Sequence, residues 1–338
     1  YSIRENLIGY IKSVYPTDYQ NFSESDLGLM LIEVVSYMGA VLSLKGDMLA
    51  NENYLRTVKN RNNLQKLLEL VGVDMRGPLA AGASARLTHA AGALDAAAFP
   101  LSYSPANRVF AISSKEDGAP VNYTLYKIEN NAIQGIQNAN ATFELAGSEA
   151  DNSAPGDPSS VFTNVAMLEG ALSVQQGTFD TLEGNKTISL TDSPIIEGSV
   201  QVYINTGNAD DEANGAYKQV NRLYSSSSTT DKIFQVTYEN DYAAMVVFGD
   251  NVLGISPPAG SSFTVLYRVG GGSRGNVGQG VINVATQALR GDDGTTQVPM
   301  TTENRTVAKG GSEAETAAHA KKYAPYTFKR QDRVVSLE

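Results

Sequence analysis

The chain has no cysteine and only two histidines among its 338 residues. Without cysteine it can form no disulfide, no thiolate metal site and no cysteine nucleophile. The histidines, His89 and His319, lie far apart, and neither has other ligand-type residues at metal-binding spacing. A zinc site needs three or four converging donors. We therefore predict that both histidines are surface or packing residues, and that the chain holds no metal and no cofactor.

The sequence is also poor in long apolar runs and in clustered basic residues. No uninterrupted apolar run reaches about 18 residues, from which we predict no membrane insertion. The formal net charge is −10. Binding along a phosphate backbone needs clustered lysine and arginine, so the composition argues against nucleic acid as a partner. One modest basic cluster lies near the C-terminus: Lys321, Lys322, Lys329, Arg330 and Arg333.

Recognisable catalytic motifs are missing as well. The sequence contains neither the G-x-S-x-G turn of serine hydrolases nor the G-x-x-x-x-G-K-[ST] phosphate loop. The acidic stretch 210–215 begins like a calcium loop, but its twelfth position is Asn221, where a bidentate glutamate is required. We predict plain turns there and at Asp292–Gly294. No residue is assigned a catalytic role, and we expect the chain not to be an enzyme. Carboxylate pairs set by folded distance stay open.

What is present divides the chain into three parts. Hydrophobic residues make up 42% and charged residues 18%, which is typical of a globular protein. Residues 1–76 have helical periodicity, whereas residues 77–300 have short alternating runs separated by Gly, Asn, Asp, Ser and Pro clusters. We expect this β-rich region to be mostly antiparallel, with an inserted subdomain at about residues 130–240. Residues 301–338 form a C-terminal arm, and the predicted fold class is α+β.

The longest predicted helix carries a regular apolar stripe. Leu27, Leu31, Val34, Met38 and Val41 follow one another at spacings of four, three, four and three residues, which is a heptad pattern. Two interpretations stay open: an ordinary amphipathic helix packed on its own domain, or a bundle seam shared with another chain. Further apolar residues widen the stripe, and so broad an apolar face needs partners on more than one side. These residues are Val35, Leu42, Leu44 and Leu49.

The C-terminal arm carries the signals of one short helix. Ser312 is a predicted N-cap, with Glu315 at the reciprocal capping-box position. Pro325 is predicted to end the helix, and an extended segment should follow it. The last residues, 334–338, have the pattern of an interrupted strand, so we expect that they come from a longer chain.

A glycine tract follows the predicted strand Phe263–Leu266 and matches the dinucleotide-binding pattern G-x-G-x-x-G. That function needs a helix beginning inside the turn, because the helix N-terminus holds the pyrophosphate. The residues after the tract are rich in glycine and β-branched side chains, which favours a strand. We therefore predict a structural loop between two strands. Its residues are Gly270, Gly271, Gly272, Gly275 and Asn276.

Three motifs occur together in an order that is characteristic of one family. The first lies in the helical part, at Asp26–Gly28, Glu33, Asn51–Leu55, Arg61 and Leu70–Gly72. The second is Tyr267–Gly272 with Gly275–Val277. The third is Gly310–Glu315 with Ala324, Pro325, Phe328 and Arg333–Val335. From about Leu27 to its end, the chain resembles the baseplate J-like family, the wedge proteins of contractile phage tails.

The resemblance implies a structural role in the virion. Family members assemble in the host cytoplasm as wedges around the tail hub, and they support sheath attachment and baseplate rearrangement. They form homodimers or higher homo-oligomers and join a second wedge protein through a helical bundle, with sheath-initiator and hub proteins as further neighbours. The matching bundle seam is Leu27, Leu31, Val34, Met38 and Val41. The matching junction arm includes Gly310, Gly311, Glu315, Pro325, Phe328 and Arg333.

Two other functions compete with this one. A receptor-binding or adhesin-like tail protein would have one dominant β domain with exposed, aromatic-lined grooves. A carbohydrate-active enzyme would have a cleft with two carboxyl groups at catalytic separation. Apolar helices that mate with a second type of chain would favour the wedge over the adhesin-like protein.

Overall fold

The computed structural model shows two compact units, which we call the helical unit (residues 1–75 and 316–338) and the β unit (residues 76–315). The fold class is α+β, as predicted, with helices near both ends and a mostly antiparallel β region between them. The structure describes residues 3–17, 27–70, 72–73, 75–89, 101–103, 109–113, 120–129, 132–133, 143–145, 150–151, 160–180, 186–205, 215–225, 228–238 and 243–330.

The helical unit is built around a small apolar core. Its described helices are α1 (Ile3–Val14), α2 (Leu27–Glu52), α3 (Arg61–Leu70) and α4 (Ala317–Arg330). Leu64 and Leu68 of α3 are fully buried and share a core cluster with Ala320 and Ala324 of α4. Gly72 follows α3 with a φ of 82°, the left-handed conformation that a glycine C-cap adopts. The predicted stop at Gly72 is therefore confirmed.

Helix α4 begins later than the sequence predicted. The predicted cap, Ser312, instead forms an isolated β-bridge with Leu79. Its capping-box partner Glu315 accepts a hydrogen bond from the backbone N–H of Arg76 at 3.2 Å. Thr316 caps the helix in their place, since its Oγ1 accepts the His319 N–H at 3.2 Å. Long-range pairing of 312–315 with the start of the β unit thus overrides a local capping signal.

Helix α4 also continues past the proline that was predicted to end it. Pro325 lies inside the helix, which runs to Arg330, so residues 326–330 are helical and not extended. A proline inside a helix removes one backbone hydrogen bond and costs about 3 kcal/mol. Packing of Ala320 and Ala324 against α3 favours the helix over this segment. The predicted strand at 334–338 lies outside the described residues.

The first sheet of the β unit has eight strands and curls into a barrel. Its main path is β16-β3-β4-β8-β1-β19, with β5 pairing to β4 and β7 to β8. The strands are β1 (Gly82–His89), β3 (Ala111–Ser113), β4 (Asn122–Glu129), β5 (Ala132–Ile133), β7 (Ala150–Asp151), β8 (Ser160–Glu169), β16 (Ile282–Ala285) and β19 (Thr301–Asn304). The alternating side chains of these strands fill one core, which includes Leu87, Phe110, Tyr123, Phe162 and Ile282.

Asn304 closes this first barrel between its two end strands. The Gly280 N–H donates to the backbone carbonyl of Asn304 at 3.1 Å, and the Ile282 N–H donates to its Oδ1 at 2.9 Å. Its Nδ2 donates to the carbonyls of Gly278 (2.9 Å) and Thr306 (2.7 Å). The side chain is fully buried, and its amide supplies the hydrogen bonds that a regular ladder between β16 and β19 would otherwise make.

Replacing Asn304 with alanine should destabilise the β unit by about 3 kcal/mol, because the buried Ile282 N–H and two carbonyls lose their partner. Urea unfolding followed by circular dichroism measures the change. The neighbouring exposed residue Asn283 is a matched control, and N283A should shift stability by less than about 0.5 kcal/mol. Equal stability of N304A and N283A would contradict the closing role of Asn304.

The second sheet has seven strands in the order β10-β14-β13-β12-β11-β15-β9 and is antiparallel except at β12–β13. The strands are β9 (Ala171–Thr178), β10 (Thr187–Ser189), β11 (Gln201–Asn205), β12 (Ala216–Gln219), β13 (Ile233–Tyr238), β14 (Ala244–Phe248) and β15 (Ser262–Val269). Its end strands meet through Gln175, whose Nε2 donates to the Ser189 carbonyl at 3.1 Å. We call this sheet the second barrel. Its core includes Phe179, Val202, Phe234, Phe248 and Tyr267.

The second barrel is formed by a segment that interrupts the first. The chain leaves the first barrel at the end of β8, forms β9 to β15, and returns as β16. A separate apolar cluster joins the two barrels, with Tyr126 from the first and Leu172 and Leu266 from the second. A third, four-stranded sheet contains β2 (Leu101–Tyr103), β6 (Phe143–Leu145), β17 (Leu289–Arg290) and β18 (Gln297–Val298).

Helix α2 is apolar over most of its length. By length and composition alone, its segment Gly28–Glu52 could cross a membrane, with a mean hydropathy of 1.5 over its most apolar window. Only 17% of that window is buried inside the structure. The sequence prediction rested on uninterrupted runs, whereas Glu33, Lys45 and Asp47 are spaced widely enough for the helix to stay apolar overall.

Candidate assembly site

The exposed face of α2 is the largest apolar surface of the helical unit that the structure describes. At about 100° per residue, its exposed apolar side chains cover about half of the helix circumference, with Lys45 as the one charge near the centre. Val34, Met38 and Leu42 are 56%, 57% and 66% exposed. Contiguous apolar patches of this kind mark interaction surfaces. We call this surface the α2 face: Met30, Leu31, Val34, Val35, Tyr37, Met38, Val41, Leu42, Leu44, Met48 and Leu49.

The N-terminal half of the opposite side of α2 is covered by α1. Leu29 and Ile32 are buried, and a Cβ atom added to Gly39 would lie 3.5 Å from Ile3 Cγ2 of α1. Arg4 of α1 forms an ion pair with Glu33 at 3.2 Å. Both side chains are about half exposed, so the pair stabilises the packing of α1 on α2 only weakly. The helix thus has one side packed within its own unit and one side without cover in the described chain.

The predicted bundle seam lies within the α2 face. Leu31, Val34 and Met38 are exposed, Val41 is half-buried, and the side chain of Leu27 lies outside the described residues. The face is wider than a heptad seam, since Met30, Tyr37 and Leu44 also belong to it. The α2 face could therefore contact more than one helix.

The polar run at the end of α2 builds the turn into α3. The Glu52 carboxylate accepts backbone N–H groups of Lys59 (2.9 Å) and Asn60 (3.0 Å) and the Asn63 amide (3.1 Å). These donors, first the Lys59 N–H, lower the pKa of Glu52, so it holds the turn in its ionised form. Lys321 of α4 reaches the same turn and donates to the Val58 carbonyl. The run therefore fixes the α2–α3 angle from within the helical unit.

The glycine tract forms a tight junction in the β unit. Gly270, Gly271 and Gly272 have φ values of 130°, 89° and 125°, a left-handed region that side chains resist. A single 3₁₀ turn at Ser273–Gly275 follows, and then the chain enters β16. No α-helix begins in the tract, so it lacks the helix N-terminus that holds a pyrophosphate. The prediction of a loop between two strands is confirmed.

Reciprocal hydrogen bonds tie this junction to the C-terminal arm. Asn276 donates from Nδ2 to the Gly311 carbonyl at 2.8 Å and accepts the Gly311 N–H at 3.0 Å. The Glu313 carboxylate accepts both the N–H (3.0 Å) and the hydroxyl (2.9 Å) of Ser273. Gly272 donates to the Leu79 carbonyl at 3.1 Å. Two of the three sequence motifs therefore meet in space.

A buried glutamate lies beneath the turn. Glu169, at the end of β8, is 4% exposed, and its Oε2 accepts the Ala81 N–H at 3.0 Å. Burial raises the pKa of this carboxyl group, more than the Ala81 N–H and Arg268 lower it. Arg268 itself is 8% exposed; it donates to the backbone carbonyl of Glu169 at 2.7 Å and stacks on the Tyr126 ring. The Tyr123 hydroxyl donates to the Gly275 carbonyl at 2.9 Å.

The predicted arm residues are divided between the two units. Gly310 and Gly311 lie at the junction, and the carboxylate of Glu315 accepts a hydrogen bond from the backbone N–H of Arg76. Pro325 and Phe328 belong to α4 in the helical unit, and Arg333 lies outside the described residues. Sequence reasoning missed Glu169 and Asn304. An acidic residue closing an alternating apolar strand was the available signal for Glu169.

The minor polar candidates have local structural explanations. Asp293 accepts the Thr296 hydroxyl at 2.5 Å and the N–H groups of Thr296 and Thr295 at 2.8 and 3.0 Å, which lowers its pKa and makes a plain turn, as predicted. His319 stacks on Tyr323 with ring centroids 4.2 Å apart. The acidic stretch 210–214 lies outside the described residues. Within the described residues, no group of three or more metal-ligating side chains converges.

A known protein family matches the part of the chain that contains the α2 face. Residues 2–70 match the family model described as the N-terminal domain of a bacteriophage baseplate protein. The matched range contains α1, α2 and α3 and therefore the whole α2 face. The match supports a structural protein of the phage tail baseplate, a part of the virion. No curated protein matches the chain.

Proposed function

We propose that this baseplate protein is a wedge component of a contractile tail, of the baseplate J-like kind. It pairs with itself and with a second wedge protein around the tail hub, beside the sheath-initiator proteins. Nucleic acid, membrane insertion and catalysis have no part in this role. The observation that carries the proposal is the α2 face, an apolar half-cylinder within the domain that matches a baseplate protein.

The physical argument begins with the cost of leaving the α2 face in water. Burying one large apolar side chain stabilises a complex by about 1.5–3 kcal/mol, so covering even part of this face provides a large driving force. A helix of 26 residues is about 39 Å long, which is enough for several turns of knobs-into-holes packing. Because the face covers about half of the helix, two partner helices fit it better than one. A three-helix arrangement of two copies and one partner chain satisfies this geometry.

The β unit has the features of a rigid structural part in the same assembly. Its two barrels have separate cores, and the chain passes between them through a glycine junction fixed by paired hydrogen bonds. Sheath attachment and baseplate rearrangement need rigid blocks joined at defined points, not a reactive pocket. Symmetric assembly then converts modest contacts between wedges into a firm ring.

Co-expression with each neighbouring gene tests the proposal. The full chain, carrying an affinity tag, should co-purify with one helical partner, and light scattering should show at least two copies of the tagged chain in the complex. A monomer that captures none of the neighbouring products would overturn the proposal. So would flotation of the chain with neutral lipid vesicles in place of partner binding, because the α2 face would then be a membrane surface.

A further inference from the structure

The carboxyl group of Glu169 is held in a space that fits it closely. A Cβ atom added to Gly275 would lie 2.0 Å from Glu169 Oε2, so only glycine leaves room for the carboxyl group there. The group receives one hydrogen bond, from the Ala81 N–H, and is shielded from water. A carboxylate normally requires several donors or a close cation to be stable at such a position.

Two arginines near Glu169, Arg268 and Arg274, lower its pKa, but by less than burial raises it. Arg268, from β15, directs its guanidinium to the backbone carbonyl of Glu169 and to the face of Tyr126, and within the described chain no cation lies within ion-pair distance of the Glu169 carboxyl group. Arg274 is on the exposed side of the turn. The other titratable groups facing the site are Glu313, whose charge disfavours a second negative charge, and Tyr123, whose pKa is raised by burial and whose hydroxyl donates to the Gly275 carbonyl.

We propose that Glu169 is a protonation-controlled pin of the barrel junction: its neutral carboxyl group holds the glycine turn 270–276 closed against the first barrel, and its ionisation loosens that turn. The pin lies where the chain leaves β8 for the second barrel, directly under the turn by which it returns. This device belongs to the β unit alone and holds whatever the α2 face binds.

The direction of the pH response follows from the environment of each carboxyl group. Burial raises the pKa of Glu169, so its contribution to stability is complete below the ordinary glutamate pKa and is lost as pH rises through the raised value. Glu313, on the outer side of the same turn, responds in the opposite direction. The Ser273 N–H and hydroxyl lower its pKa, so its contribution is present above the ordinary value and is lost on acidification. The turn is therefore held on both sides only between the two pKa values.

Amide hydrogen exchange in the full chain tests the pin at the turn itself. After correction for the intrinsic pH dependence, protection of residues 270–276 should fall about tenfold or more between pH 5 and pH 8 in the wild type. Glu169→Gln keeps the carbonyl acceptor for Ala81 but cannot ionise, so its protection should stay constant over that range. Glu303→Gln, at an exposed position of β19, is the matched control and should follow the wild type.

The outcomes separate clearly. Wild-type protection that does not change with pH, or that changes equally in E169Q, would overturn the proposal. If E169Q does not fold, the wild type still provides a test, because carbon-13 labelling of the glutamate carboxyl groups gives the Glu169 titration midpoint by NMR. A midpoint above those of the exposed glutamates supports the pin, and a midpoint at or below theirs refutes it.

Discussion

The double variant Val34→Asp with Met38→Asp should lose co-purification with the helical partner and should bind it at least 100-fold more weakly than the wild type. Both positions lie at the centre of the α2 face, where a partner helix would bury them. A carboxylate buried without a partner costs several kcal/mol, and 2.8 kcal/mol already corresponds to a factor of about 100 in Kd. Titration calorimetry with the partner chain measures the loss.

A second double variant provides the control for this result. Ala40 and Ser43 are also exposed on α2 but lie away from the centre of the α2 face, so Ala40→Asp with Ser43→Asp adds the same charge to the same helix. We expect this variant to bind within about threefold of the wild type, and both variants to keep the β unit folded by circular dichroism. Intact binding by the Val34 and Met38 variant would show that the partner, if any, docks elsewhere.

Replacing Gly311 with alanine should destabilise the β unit by about 3 kcal/mol or more. The new Cβ would lie 2.4 Å from the backbone oxygen of Gly272 and 3.2 Å from the Ala81 nitrogen, and neither backbone can move without opening the junction. Opening it breaks the reciprocal Asn276–Gly311 hydrogen bonds. Effects of this size come from clashes and from broken hydrogen-bond networks. Because the chain has no tryptophan, urea unfolding is best followed by circular dichroism.

Gly278→Ala is the matched control for this substitution. Its added Cβ meets only the Val281 side chain, at an ordinary 3.7 Å, and Gly278 does not have a left-handed backbone. Its stability should lie within about 1 kcal/mol of the wild type, with a small gain where the unfolded chain loses freedom. If G311A unfolded at the same urea concentration as G278A, the arm and the glycine turn would not form one structural junction.

Features set by neighbouring residues could be predicted from the sequence. The apolar periodicity of α2, the glycine stop after α3 and the β-branched residues after the glycine tract each act over a few positions. The helix nevertheless has a wider exposed face than its heptad positions indicate. Residues off the stripe, such as Met30 and Tyr37, were not part of the predicted seam, because a heptad search selects only the positions of one narrow contact.

Features set by distant residues could not be predicted in the same way. Ala81, Glu169 and Gly275 come from three separate segments, and nothing in any one of them shows that a carboxyl group will be buried where they meet. The start of α4 was misplaced for a related reason. Ser312 has a strong local capping pattern, but pairing with Leu79 uses its backbone for a bridge that only the folded β unit can offer.

The two passages between the barrels have a consequence for how this chain can vary. A Cβ atom on Gly270 would lie 3.4 Å from the Cα of Gly170, so the second barrel begins and ends at nearly the same point. A segment with adjoining ends can lengthen, shorten or be exchanged while the framework that it interrupts keeps its register, since the loop-closure entropy hardly depends on its contents. Residues 171–269 thus have the topology of an exchangeable insertion, whose surface can change while the framework that carries it keeps its structure.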